Sequence, residues 1–274
     1  MPAPSQSAQA APSATKRRTR TLAVCAAPLV ALFAVAAFVP LPFVIAQPGS
    51  TTANVLGVHK SKPVITISGA QSRRTSGQLR MTTIEATGPD SDISLRNVIS
   101  SWFRTDRAVM PYGSVYPVGQ SDKEIEQHNV AEMKKSQDSA AQAALRYLHR
   151  SPEDVKVELS LADVGGPSAG LLFALGVVDK LDGDGRGGDL TGGRTIAGTG
   201  TIEPDGKVGA VGGVSLKTQA ARRDGATVFL VPKGECSEAQ AELPEGLRLV
   251  PVVELKDAVG SLRALVSGGD VPAC

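Results

Sequence analysis

The sequence predicts a mixed α/β (α+β) domain carried behind a single N-terminal membrane-spanning helix. Three observations predict it. A charge-free apolar run fills residues 21–46, short β-branched runs alternate irregularly with helix-period segments from residue 64 onward, and glycine-rich turns separate them. The chain has 274 residues, 42% hydrophobic and 20% charged, which suits one domain with an ample core plus appendages. The expected divisions are a disordered cytoplasmic tail (1–20), a membrane anchor (21–46), a linker (47–54), one domain (55–266) and a C-terminal tail (267–274).

The elements follow in order. Residues 1–15 are rich in Ala, Ser, Pro and Gln and read as disordered. Lys16, Arg17, Arg18 and Arg20 then precede the apolar run, which is long enough to cross about 30 Å of hydrocarbon. Their charge puts the N-terminus in the cytoplasm and the rest of the chain outside. A cleaved signal peptide is the rival reading, because Val44-Ile45-Ala46 before Gln47 resembles a cleavage site. The length of the run favours the anchor.

Val64-Ile65-Thr66-Ile67 predicts a strand, and residues 78–86 predict another. The single tryptophan, Trp102, is expected to pack as a core anchor. Residues 121–150 predict a long helix that opens on a Ser121/Glu124 capping box and carries Met133, Ala140, Ala144 and Leu148 on one face. Val155, Val157, Leu159 and Leu161 alternate with polar residues as in a half-buried strand. An apolar helix over 171–181 leads to a turn-rich loop, 182–193. The D-x-D start of that loop lacks the Glu that a calcium loop carries at its twelfth position, so it reads as a flexible insertion. Strands are expected over 194–202, 227–231 and 248–253, a helix around Lys217 and a last helix over 255–266.

Composition excludes several functions. The 29 basic and 27 acidic residues leave +2, without the basic excess of a nucleic-acid binder. No G-x-x-x-x-G-K-[ST] string marks a nucleotide motor. Cys25 lies in the apolar run, and without a C-x-x-C or Cys/His cluster neither a metal nor another cofactor is expected. Cys236 and Cys274 are an even pair in the part expected outside the membrane, which suggests a disulfide there, with two free thiols as the alternative.

The chemistry centres on Gly165-Gly166-Pro167-Ser168-Ala169-Gly170. Here the chain turns sharply into a helix whose first turn holds Ser168, close to unpaired N–H groups and the positive end of the helix dipole. Such a serine serves most often as an N-cap, but the same place suits a nucleophile with oxyanion donors beside it. His59, His128 and His149 lie in linker or helix-surface contexts and make a poor base. A desolvated lysine can replace histidine, and Lys217 stands among Val214, Leu216, Ala220 and Ala221, just after Gly212-Gly213.

The strings VELSLADVGGPSAGLLFALGVVDKL and DLTGGRTIAGTGTIEPDGKVGAVGGVSLKTQAARRDGATVFLVP resemble the peptidase domain of Lon proteases, and are similar to its membrane-anchored, ATP-independent Lon-like group. The resemblance implies a serine endopeptidase with a Ser168/Lys217 dyad, Thr199 orienting the lysine, polypeptide substrates outside the membrane, no cofactor, and a homo-oligomer, in that family commonly a hexameric ring. Glu132-Met133 and Ser136 resemble the first half of that domain. Three departures stand out. The 150–155 junction leaves no room for the PDZ domain usual in the membrane group, Gly165 stands where ATP-dependent members have Asp (Asp163 is nearby), and residues 182–188 look inserted. The competing function is a catalytically silent membrane scaffold that binds an envelope partner.

Overall fold

The computed structural model describes residues 14–50, 53–116, 122–161 and 166–274. The expectations about the extreme N-terminal tail, the Ser121 cap, Asp163 and Gly165 lie outside them. Helix α1 (Ala14–Phe38) exposes Leu22, Leu29, Leu32 and Phe33. It ends before Pro40 and Pro42, whose rings disfavour helix in the residues preceding them and whose nitrogens carry no proton.

The expected anchor and linker are corrected here, because residues 43–48 belong to the folded body. They form strand β1 (Phe43–Pro48), with Val44, Ile45 and Ala46 buried. β1 is the middle strand of an antiparallel sheet between β7 (Ile84–Ala86) and β8 (Ala108–Pro111). A chain beginning at Gln47 would lack most of this central strand. Among the described residues no helix is long and apolar enough to cross a membrane.

The main sheet has five strands. β14 (Arg248–Val252), β13 (Val228–Pro232), β10 (Thr195–Gly198) and β6 (Gln78–Met81) run parallel in that order, and β2 (Ala53–Asn54) lies antiparallel at the edge. Strand side chains alternate between the faces. Leu79, Ile196, Leu230 and Val250 point to one core; it also holds α4 (Asp122–Tyr147), α5 (Gly170–Leu181) and α8 (Leu255–Ser267). Ala197, Phe229, Val231 and Leu249 point to a second core with α6 (Val214–Arg223) and α7 (Cys236–Gln240). The result is a three-layer mixed α/β body. Smaller pairs complete it: β3 (Val58–His59) with β4 (Lys62–Pro63), β5 (Ile65–Ser68) with β9 (Lys156–Leu159), and β11 (Thr201–Ile202) with β12 (Val208–Gly209).

Two expected strands are split. Residues 78–86 divide into β6 and β7, in different sheets, because Thr82 is buried and its hydroxyl donates to Gly198 O. Residues 194–202 divide into β10 and β11 around Thr199-Gly200. Trp102 is also corrected. It ends α2 (Leu95–Trp102) and is 74% exposed, so it anchors no core. The 182–193 loop is braced rather than a loose insertion. Arg73 donates to the carbonyls of Asp182 and Gly187, and Asp184 Oδ1 accepts from the N–H groups of Arg186 and Gly188. α4 passes into β9 through a short turn in which Asp154 N–H donates to Ser151 O. The Cys236–Cys274 disulfide is formed, at a Cα–Cα distance of 5.4 Å, and staples the tail to the body.

Candidate active site

In open parallel sheets, sites form beyond the carboxyl ends of the strands, where helices from both faces meet. Thr199 directly follows β10, the middle strand of the sheet. Ser168 reaches this edge from the α5 face and Lys217 from the α6 face.

Ser168 lies in a 3-10 turn, Pro167–Ala169, one turn ahead of α5 rather than inside it. The turn is clamped from three sides. Gly200 N–H donates to Ser168 O at 2.9 Å, Thr199 Oγ1 donates to the same carbonyl at 3.3 Å, and Ser136 Oγ donates from α4 to Pro167 O at 2.9 Å. Gly170 makes the clamp possible. A Cβ there would lie 2.9 Å from Ile202 Cγ2 and 3.0 Å from Ser136 Oγ, inside contact distance. Ser168 itself is half-buried.

Lys217 is 3% exposed. Its Nζ donates to Thr199 Oγ1 at 3.2 Å. Burial pushes its pKa down to about 8, while the Glu235 and Glu238 carboxylates pull it upward. Thr199 fixes the polarity of the group. Its hydroxyl hydrogen goes to Ser168 O, so its oxygen faces Lys217 as an acceptor. A neutral Lys217 amine that donates there keeps its lone pair for another proton. Thr199 is in turn held by its N–H, which donates to Leu230 O on β13.

The helix bearing Lys217 starts at Gly213, whose φ of +69° is left-handed and suits glycine. Glycine offers no side chain to cap the helix. Glu238 Oε1 does so from α7, accepting from Val214 N–H at 2.7 Å, and Glu235 Oε1 accepts from Val211 N–H at 2.7 Å.

Residues 131–263 match the family of the Lon protease (S16) C-terminal proteolytic domain. Over 83 residues the chain is also 43% identical to the Lon protease of Clostridioides difficile (strain 630), a stretch that covers 30% of this chain and 10% of that protein. The chain thus matches only about a tenth of the length of that relative. That family match covers a little under half of the chain. It begins within α4 and ends within α8, so it contains Ser136, Ser168, Thr199 and Lys217, whereas α1 and the three-stranded sheet precede it.

The structure therefore gathers Ser168, Thr199 and Lys217 at one sheet edge. Among the described residues no hydrogen bond joins Ser168 Oγ directly to Lys217 Nζ, and the link between the two runs through Thr199. His59 is on β3, His128 is exposed on α4 and His149 is exposed just beyond it; none bonds to Ser168 among the described residues. No group of three metal-ligating side chains gathers among the described residues either. Sequence reasoning noticed Ser136 only as part of a resemblance, and gave Glu235 and Glu238 no role. The available signal was two glutamates three positions apart, flanking a cysteine of the expected disulfide.

Proposed function

We propose that this protein is an ATP-independent serine endopeptidase with Ser168 as nucleophile, Lys217 as general base and Thr199 orienting the lysine. The observation that carries the reading is the buried Lys217, with a pKa near 8, donating to a threonine that in turn holds the Ser168 carbonyl. Neutral Lys217 takes the Ser168 hydroxyl proton as Oγ bonds to the peptide carbonyl carbon. Backbone N–H groups around Ser168 receive the oxyanion. The C–N bond then breaks, and the Lys217 ammonium returns the proton to the departing amine. Water, deprotonated by the again neutral Lys217, attacks the acyl-enzyme carbonyl, and the Lys217 ammonium returns the proton to Ser168 Oγ as the ester bond breaks.

The resemblance of its motifs to the ATP-independent Lon-like group supports action without ATP. Membrane anchoring through α1 belongs to the same proposal. Its support is the charge-free apolar run of the sequence from residue 21 onward, although no helix among the described residues is by itself long and apolar enough to cross a membrane. The described side chains of α1 are exposed, and a basic cluster precedes the run. The Cys236–Cys274 disulfide favours an oxidising, extracytoplasmic compartment for the catalytic body. Substrates are then polypeptides outside the membrane, cut by a homo-oligomer.

The test is covalent labelling of the full chain in detergent by a serine-directed probe, together with peptide hydrolysis without nucleotide. Labelling and hydrolysis should both vanish in Ser168→Ala. An unlabelled wild-type protein would instead favour the silent scaffold, and an absolute need for ATP would overturn the nucleotide-free reading.

A further inference from the structure

The segment that follows β13 sits against the Lys217 helix in an arrangement the dyad alone does not require. It runs from a 3-10 turn, Lys233–Glu235, into α7. Glu235 and Glu238 both point back at the entrance to α6, where they accept the Val211 and Val214 N–H groups at 2.7 Å. The Glu235 Oε2 atom is buried and has no hydrogen-bond partner among the described residues. A buried carboxylate oxygen without a partner is costly unless it serves something nearby. The positive charge in reach is Lys217. Of the elements packed on α6, strands β1, β10 and β13 carry no ionisable residue, and Glu85 of β7 is turned to Ser50 N–H. The negative charge facing Lys217 therefore comes from Glu235 and Glu238.

Cys236 lies between these two glutamates. α7 has five residues and is too short to hold its place by helix formation alone. It is tied down by the disulfide to Cys274. That tail is itself fixed, with Val271 buried and its carbonyl accepting from Arg248 Nη2 at 2.7 Å.

We infer that Glu235 and Glu238 are positioning residues for Lys217, and that the Cys236–Cys274 disulfide locks them in place, so that activity depends on the bridge. The inference rests on the reading of Lys217 as general base. Glu238 caps the helix that carries the amine, and Glu235 fixes the glycine-rich approach and supplies the counter-charge. Opening the bridge frees both carboxylates, and α6 loses its external cap.

The test uses the full chain in detergent, with isotope-labelled lysine and the Lys217 signal assigned through Lys217→Arg. Its titration is followed by NMR in wild type, Glu235→Gln, Glu238→Gln and the Cys236→Ser/Cys274→Ser double variant, with the pH profile of peptide hydrolysis alongside. Glu235→Gln keeps the bond to Val211 but removes the charge. It should move the Lys217 titration, and with it the acid limb of kcat, down by about half a pH unit or more. The double cysteine variant should also shift the titration and lower kcat at least tenfold with KM little changed. An unshifted Lys217 in both variants overturns the inference, as does full kcat after loss of the bridge. If a variant does not fold, titrating the folded wild type before and after mild reduction decides the same point. Absence of peptide hydrolysis in wild type would strike the peptidase reading, whereas the NMR titration judges this one by itself.

Discussion

Lys217 shows how one residue can serve chemistry at the expense of stability. Its pKa falls from the ordinary lysine value to about 8 because burial disfavours the ammonium. A base depressed in the folded state contributes fully above its unfolded pKa, near 10.4, and the contribution is lost as pH falls through about 8. At pH 7 the ionised amine thus costs the fold about 3 kcal/mol. Lys217→Met, of similar volume, should abolish hydrolysis yet raise stability in denaturant at pH 7 by roughly that amount. A destabilised Lys217→Met would show that the amine is no burden. Lys217→Arg should be inert, since a guanidinium keeps its proton, and wild-type hydrolysis should rise with pH towards about 8. Thr199→Val should cost about tenfold, less than the ~100-fold or more that a base supplies. Ser136→Ala, which releases Pro167 O, should cost about 1 kcal/mol of stability. The three residues proposed for chemistry were legible because each lies in a local string of unusual composition. Ser136 and the two glutamates were not, because their role depends on carbonyls and amides far away in sequence.

At the level of elements, hydrophobicity could not tell a helix whose described side chains are exposed from a buried strand. Residues 21–46 are uniformly apolar, and both α1 and β1 draw on them. The boundary was written in Pro40 and Pro42, which end the helix, and in β-branched Val44 and Ile45, which suit a strand. A chain starting at residue 40 should therefore fold, whereas one starting at Gln47 should lose the burial of Val44 and Ile45, about 4 kcal/mol or more. Thermal denaturation of the two truncations decides it, and equal midpoints would refute the place given to β1. The strand over 155–161 was legible from its alternation, the helix after Ser168 from its apolar run, and the helix around Lys217 from the glycine-rich approach to it. The splits at Thr82 and at Thr199 were not, because a strand's choice of sheet is a tertiary decision. Trp102 misled for the opposite reason. Composition marks a lone tryptophan as core, yet it stands exposed, as does Phe103 after it.

Across the whole molecule, two buried charges of opposite sign pull stability in opposite directions along the pH scale. Lys217 favours high pH, as argued above. Asp179, on the buried face of α5, is pushed up to about 6, chiefly by burial; the Leu190 N–H that donates to its Oδ1 at 2.7 Å opposes the shift, and its Oδ2 has no partner among the described residues. An acid raised in the folded state contributes fully below its unfolded pKa, near 3.9, and that contribution is lost as pH rises through about 6. Between about pH 6 and 8 the fold therefore carries both penalties, each on the order of 3 kcal/mol. The two residues lie on opposite faces of the main sheet, so their effects should add. Asp179→Asn separates them. The amide keeps an oxygen for Leu190 N–H and, like the neutral carboxyl, carries no charge. The variant should then equal wild type at pH 4 and exceed it by about 3 kcal/mol at pH 7, without moving the Lys217 limb of the hydrolysis profile. Urea unfolding of both proteins at the two pH values measures the difference. A gain of the same size at pH 4 and pH 7 would mean that the ionised carboxylate of Asp179 is not what strains the α5 layer.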